Sequence, residues 1–145
     1  MVILSIVAPS KTGKTTFLEH LIPLLCAEQI RVGALKHCHH SLSERENTDS
    51  MRLQKSGASP SIATCSSNFN MFLPLFSGCD LLLVEGFRKA NLPSIVLERE
   101  NSDPLWIPPQ HIIARVNIVL LSKAIENAYK IIKALLFTEE KNTII

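Results

Sequence analysis

Short, almost unbroken apolar runs alternate along this chain with longer segments whose apolar residues recur every three or four positions. Val2–Val7 is apolar at nearly every position, the pattern of a strand buried on both faces of a parallel sheet. Phe17, Leu18, Leu21, Ile22 and Leu25 then share one helical face. They predict a helix from about Gly13 to Glu28, with Pro23 expected to kink or shorten it. Ile30–Lys36 reads as a second strand, joined to the first by a helical crossover expected to be right-handed. Ser41–Thr48 is polar and aperiodic and predicts a mobile loop, and Asp49–Lys55 predicts a short helix closed by Gly57. Ser61–Cys65 reads as a short strand, and Phe69–Phe76, broken by Pro74, as a buried helical turn or packing segment.

Asp80–Val84 is the clearest strand after the first, followed by Ser94–Glu98 and by Ile112–Val116 with a continuation at Ile118–Leu121. Asn101–Pro109 carries three prolines and reads as a loop. Ile125, Ala128, Ile131, Ile132, Leu135 and Leu136 give a helix over Lys123–Phe137, and the polar tail from Thr138 is expected to fray. Strands alternating with helices predict an α/β fold of three layers, a mostly parallel central sheet flanked by helices.

Composition narrows the class without changing that picture. A chain of 145 residues, 46% of them hydrophobic, suits one domain spanning 1–145 with one buried core. No apolar run approaches the ~18–20 residues a membrane span needs. The N-terminal apolar run is too short for a signal peptide and lacks a basic flank and cleavage site. A net charge of +2 argues neither for nucleic acid nor for an acidic partner. Cys26, Cys38, Cys65 and Cys79 show no C-x-x-C spacing, which fits a reduced cytoplasmic protein.

The candidate chemistry starts where the first strand ends. Ala8-Pro9-Ser10-Lys11-Thr12-Gly13-Lys14-Thr15-Thr16 joins a strand to a helix, the context of a P-loop that cradles a nucleoside triphosphate. Backbone N–H groups and the positive end of the helix dipole attract phosphate there. Ser10, Lys11, Thr12, Gly13, Lys14, Thr15 and Thr16 form the expected phosphate-binding set. Lys14 would reach the β- and γ-phosphates, and the Thr15 hydroxyl would bind Mg²⁺. Two positions depart from the usual motif: Ala8 stands where a glycine opens it, and Lys11 sits at the apex. The blander reading is a Gly-Lys turn entering an ordinary helix.

Such a loop needs a carboxylate at the end of a neighbouring strand, and Leu81-Leu82-Leu83-Val84-Glu85 supplies Glu85 as a Walker B residue, with Gly86 allowing a sharp turn. Asp80, at the start of that strand, is expected at the far edge as a cap or turn residue. Asp49 is either a second Mg²⁺ ligand or a carboxylate favoured by a helix dipole, and spacing does not separate the two. His37-Cys38-His39-His40 could ligate a soft metal, yet consecutive residues at a strand end cannot all converge on one ion. The string reads better as a nucleotide- or substrate-facing loop in which Lys36 supplies charge and the histidines, His37 among them, supply hydrogen bonds. Arg88 and Lys89 add charge at the same sheet edge, or form an ordinary solvated loop.

Gly13-Lys14-Thr15-Thr16, Arg31 through His40, Asp49-Ser50, Gly57-Ala58 and Asp80 through Arg88 together resemble the molybdopterin-guanine dinucleotide biosynthesis protein B (MobB) family over nearly the whole chain. The resemblance implies a cytoplasmic, usually homodimeric GTP-binding adapter with weak GTPase activity. Such an adapter assists a guanylyltransferase partner that joins GMP to molybdopterin. It implies GTP and Mg²⁺ as cofactors, Lys14 and Thr15 at phosphate and metal, Asp49 on the metal side and Glu85 as the Walker B carboxylate. The chain departs from the family in the polar stretch between His40 and Asp49, in a short Cys65–Gly78 region, and in Arg115-Val116-Asn117 where an Asp for base recognition is expected. No Asn-Lys-x-Asp motif is present, so guanine selectivity comes from the resemblance. Asn117 is the weak candidate for a base contact.

Two other readings compete. A small P-loop kinase needs a basic lid, for which Arg88, Lys89, Arg99 and Arg115 are the candidates. A nickel-delivering GTPase would use His37, Cys38, His39 and His40. No arginine finger or catalytic Gln is evident, which fits weak turnover.

Overall fold

A computed structural model of the chain describes residues 1–38, 44–100 and 102–143. Six strands form one sheet: β1 (Val2–Val7), β2 (Val32–His37), β3 (Ser61–Thr64), β4 (Leu81–Glu85), β5 (Ser94–Glu98) and β6 (Ile112–Asn117). Their order across the sheet is β3-β2-β4-β1-β5-β6, and all neighbours run parallel. The first two strands in sequence are therefore not adjacent. β4 lies between them and hydrogen-bonds to both, which suits a strand buried along Leu81, Leu82, Leu83 and Val84.

Three helices, α1 (Lys14–Ala27), α2 (Glu44–Lys55) and α3 (Leu121–Thr143), pack into one core. Strand periodicity of two sends Leu4, Ile6, Leu81, Leu83, Ile95 and Leu97 into it. There they meet Phe17, Leu21, Ile22 and Leu25 of α1, Leu53 of α2, and Ala128 and Ile132 of α3. Each fully buried Leu, Ile or Phe contributes about 1.5–3 kcal/mol relative to exposure. Leu35, Leu82 and Val84 form a second cluster with Phe76 and Phe87. Two 3₁₀ segments, Phe69–Phe76 and Arg88–Ala90, carry much of its cover, so the layer opposite the helices is thin.

Several boundaries differ from expectation. α1 runs through Pro23 without ending, because the proline sits on its exposed side. The predicted loop Ser41–Thr48 is helical from Glu44, and residues 41–43 lie outside the described part. Glu-Arg-Glu has good helix propensity but no apolar period, and among the described side chains of α2 the buried anchor is Leu53. Phe76 is buried as expected, but Met71 and Leu75 of the same segment are exposed. The expected continuation at Ile118–Leu121 is instead a turn: Asn117 Oδ1 accepts the Val119 N–H at 2.9 Å, and Leu121 opens α3. α3 does not fray after Phe137 but continues to Thr143, and the chain's amino terminus pairs with Glu139 at 3.1 Å. Among the described residues no helix is long and apolar enough to cross a membrane.

Candidate functional site

β1 ends against the loop that begins at Ala8. Ala8 is packed in the helix-side core at 8% exposure, so a methyl group there is accommodated rather than aimed at a ligand. Thr12 is buried, and its hydroxyl donates to the Pro9 carbonyl at 2.5 Å, closing the loop on itself. Ser10, Lys11, Gly13 and Thr16 stand exposed around the opening, with Lys14 and Thr15 half-buried in the first helical turn. Gly13 caps α1 at φ 96°, a conformation that suits glycine, at the helix end where backbone N–H groups favour an anion. Lys11 also holds a left-handed backbone, φ 60°, at the loop apex.

Four sequence-predicted residues from four segments meet at the mouth of this loop. Lys14 Nζ lies 3.0 Å from Glu85 Oε1, at the carboxyl end of the adjacent strand β4. Lys36 is in register with Glu85 across β2 and β4, and its ammonium lies 3.7 Å from the same oxygen. The same ammonium donates to Asp49 Oδ2 at 2.7 Å. Burial disfavours the Lys36 charge, but the hydrogen bond to Asp49 and the fields of Glu85 and Asp49 outweigh it and hold the amine above the usual lysine range. Asp49 Oδ1 is also 3.7 Å from Arg52, which forks onto Glu19 of α1 with two bonds of 2.6 Å. That bond to Arg52 pulls the Glu19 carboxyl below its ordinary pKa.

The turn after Glu85 is built for close approach. Gly86 has φ 88°, and a Cβ there would come within 2.9 Å of the His37 Cβ and 3.2 Å of its carbonyl. Phe87 is also left-handed, at φ 52°, and is anchored by burial against Phe69, Phe72 and the His37 ring. Such backbone costs about 1–3 kcal/mol for a non-glycine residue, an amount its buried ring can offset.

His37 ends β2 with its ring 4.7 Å from Phe87, and Cys38 is buried. His39 and His40 lie outside the described residues. Among those described, no three His, Cys, Asp or Glu side chains gather as a metal-holding group. Asp80 sits at the opposite edge, as its place at the start of the strand predicts, and pairs with Arg31.

Periodicity gave no warning of Arg52 and Glu19, because both sit on polar helix faces whose partners lie 33 residues apart. Arg99 also escaped notice as a neighbour of the loop: its guanidinium comes within 4.0 Å of where a Cβ on Gly13 would stand. Its place just after β5, the strand on the other side of β1, was the available signal.

A parallel sheet ordered 3-2-4-1-5-6, a glycine-capped helix after β1 and a lysine–carboxylate pair at the loop mouth define a P-loop protein with a nucleotide-binding fold. The profile of the family described as molybdopterin guanine dinucleotide synthesis protein B matches residues 3–118. The chain belongs to that family. It is 35% identical over 117 residues to the molybdopterin-guanine dinucleotide biosynthesis adapter protein of Escherichia coli, covering 69% of this chain and 67% of that one. It is 34% identical over 133 residues to the adapter protein of the same name from Haemophilus influenzae, covering 77% and 72%. The crystal structure of Bacillus subtilis MobB superposes with a TM-score of 0.58 at 26% identity, over 81% of this chain and 80% of that one.

Proposed function

We propose that this chain is a GTP-binding adapter in molybdopterin guanine dinucleotide assembly, assisting the guanylyltransferase that attaches GMP to molybdopterin. The Lys14–Glu85 pair at the mouth of the P-loop, in a chain 35% identical to an adapter of that name, carries this reading. Lys14 would leave Glu85 for the β- and γ-phosphates, with the loop N–H groups of Ser10 to Thr16 around them. Mg²⁺ fits the donors present: the Thr15 hydroxyl and the hard oxygens of Glu85 and Asp49. The Lys36 ammonium now stands between those carboxylates, so the place is already built for a positive charge. When bound, the ion would neutralise phosphate charge. The protein's own groups orient the triphosphate, and positioning and charge neutralisation alone suit slow hydrolysis. Action as a homodimer in the cytoplasm, beside the guanylyltransferase partner, completes the proposal.

The test is a binding comparison of GTP, ATP and molybdopterin with the purified chain, with and without Mg²⁺. Micromolar, Mg²⁺-strengthened GTP binding with weaker ATP binding is expected. Preference for ATP together with steady phosphoryl transfer to an acceptor would sink the adapter reading in favour of a kinase.

A further inference from the structure

Beside the P-loop opens a cleft of about 440 Å³ that the phosphate and metal-side residues leave unused. Glu98, Arg115 and Asn117, at the carboxyl ends of β5 and β6, line it. Pro9 of the P-loop and Trp106 also border it. Trp106 lies on the proline-bearing connection between β5 and β6, and that connection is tied back to the phosphate site. Arg88, three residues beyond Glu85, donates to the Ile107 carbonyl at 3.0 Å, and its guanidinium stands 5.7 Å from the centre of the Trp106 ring. Arg99 lines the same cleft while its guanidinium reaches Gly13. Pro9 of the loop, the Arg99 side chain and a half-buried indole thus border one cleft.

The hydrogen-bonding groups of the cleft are already partly engaged. Glu98 accepts from Arg115 at 2.5 Å, and the Asn117 carboxamide oxygen accepts from Val119. An aromatic face needs no such pairing to bind a base, since every nucleobase has a π-face to stack.

We propose that Trp106, held in place by Arg88, is the wall on which the base of the bound nucleoside triphosphate stacks, with Arg88 as a positioning residue. The inference rests on the nucleotide-binding reading above and adds the site for the other half of the ligand. Its chemistry is aromatic stacking in a cleft of nucleoside size.

Trp106 is the chain's only tryptophan, so its fluorescence reports on the cleft alone. In the full-length protein, GTP should change its emission, whereas inorganic tripolyphosphate, which reaches only the P-loop, should bind without that change. Trp106→Ala should lower the ratio of GTP to tripolyphosphate affinity by about tenfold or more. Trp106→Phe should keep most of that ratio, and Arg88→Ala should lower it with partial rescue in Arg88→Lys. An unchanged ratio in Trp106→Ala, or identical emission with GTP and tripolyphosphate in the unmutated protein, overturns the proposal while leaving phosphate binding intact. Failure of the unmutated protein to bind either ligand overturns the nucleotide reading and this inference with it.

Discussion

At the amino ends of β2 and β4, Arg31 and Asp80 form a closed pair; at the carboxyl ends of the same two strands, Lys36 and Glu85 belong to an open chain of charges. Asp80 takes the Arg31 backbone N–H at 2.8 Å and two guanidinium bonds at 3.0 and 2.7 Å. Both charges are spent on one partner, in the bidentate geometry that fixes two strand starts side by side. The Arg31 bond draws the Asp80 carboxyl below the ordinary range despite some desolvation. At the other end, Glu85 faces Lys14 and Lys36, Lys36 faces Glu85 and Asp49, and Asp49 faces Lys36 and Arg52. Glu85, Lys36 and Asp49 each face two partners there. Two ends of one strand pair therefore separate a closed clamp at 2.7 Å from a branched chain of ion pairs at 2.7 to 3.7 Å.

Mutation should break this contrast most sharply at Lys14. Lys14→Ala removes the cation that pairs with Glu85 at the mouth of the loop, and GTP affinity in a calorimetric titration should fall about a hundredfold or more. Its melting temperature should stay close to that of the unmutated protein, since Lys14 packs no core. Unchanged GTP affinity would refute the P-loop assignment.

Lys36→Met should act on stability and metal together. Losing the ammonium leaves two half-buried carboxylates less compensated, costing about 1–3 kcal/mol in a denaturant melt without Mg²⁺. Added Mg²⁺ should recover part of that loss, because the ion supplies the charge that Lys36 supplied. A melt indifferent to Mg²⁺ would argue against a cation site between Asp49 and Glu85.

The smallest effect is expected at the clamp. Asp80→Asn should lower the melting temperature by a few degrees at most, since water screens both partners, and should leave GTP affinity unchanged. The sign of its pH dependence follows from a depressed carboxyl. The stability it contributes is fully present above the unfolded-state value near ~3.9 and is lost as pH falls through the lower folded-state value. The mutant and the unmutated protein should therefore converge in stability at the acid end. A constant gap down to strongly acid pH would show that Asp80 acts through something other than its charge.

Much of the fold was legible in local pattern. Val2–Val7 emerged with its predicted bounds, and the strands around Leu81 and Ile95 shifted by a residue or less, because buried parallel strands are apolar on both faces. The expectations for Lys14 and Glu85 rest on local signatures, a Gly-Lys-Thr loop and a carboxylate after four apolar residues, and the structure brings the two within 3.0 Å of each other. α2 was half missed, because a helix held by one core side chain and by ion pairs leaves no apolar period. Arg99 and Trp106 were missed as neighbours of the loop because proximity across a β5–β6 connection has no local signal.

The sequence by itself determined the apolar strands, the main helix faces and the strand–loop–helix that carries Lys14, since each depends on residues within a few positions of one another. Only the tertiary structure decided that β4 slides between β1 and β2. That placement sets Glu85 between Lys14 and Lys36, and Lys36 in turn holds Asp49 of α2. The reason is physical: burial can be read from a local period, whereas convergence of distant charges depends on strand order, which the core as a whole selects.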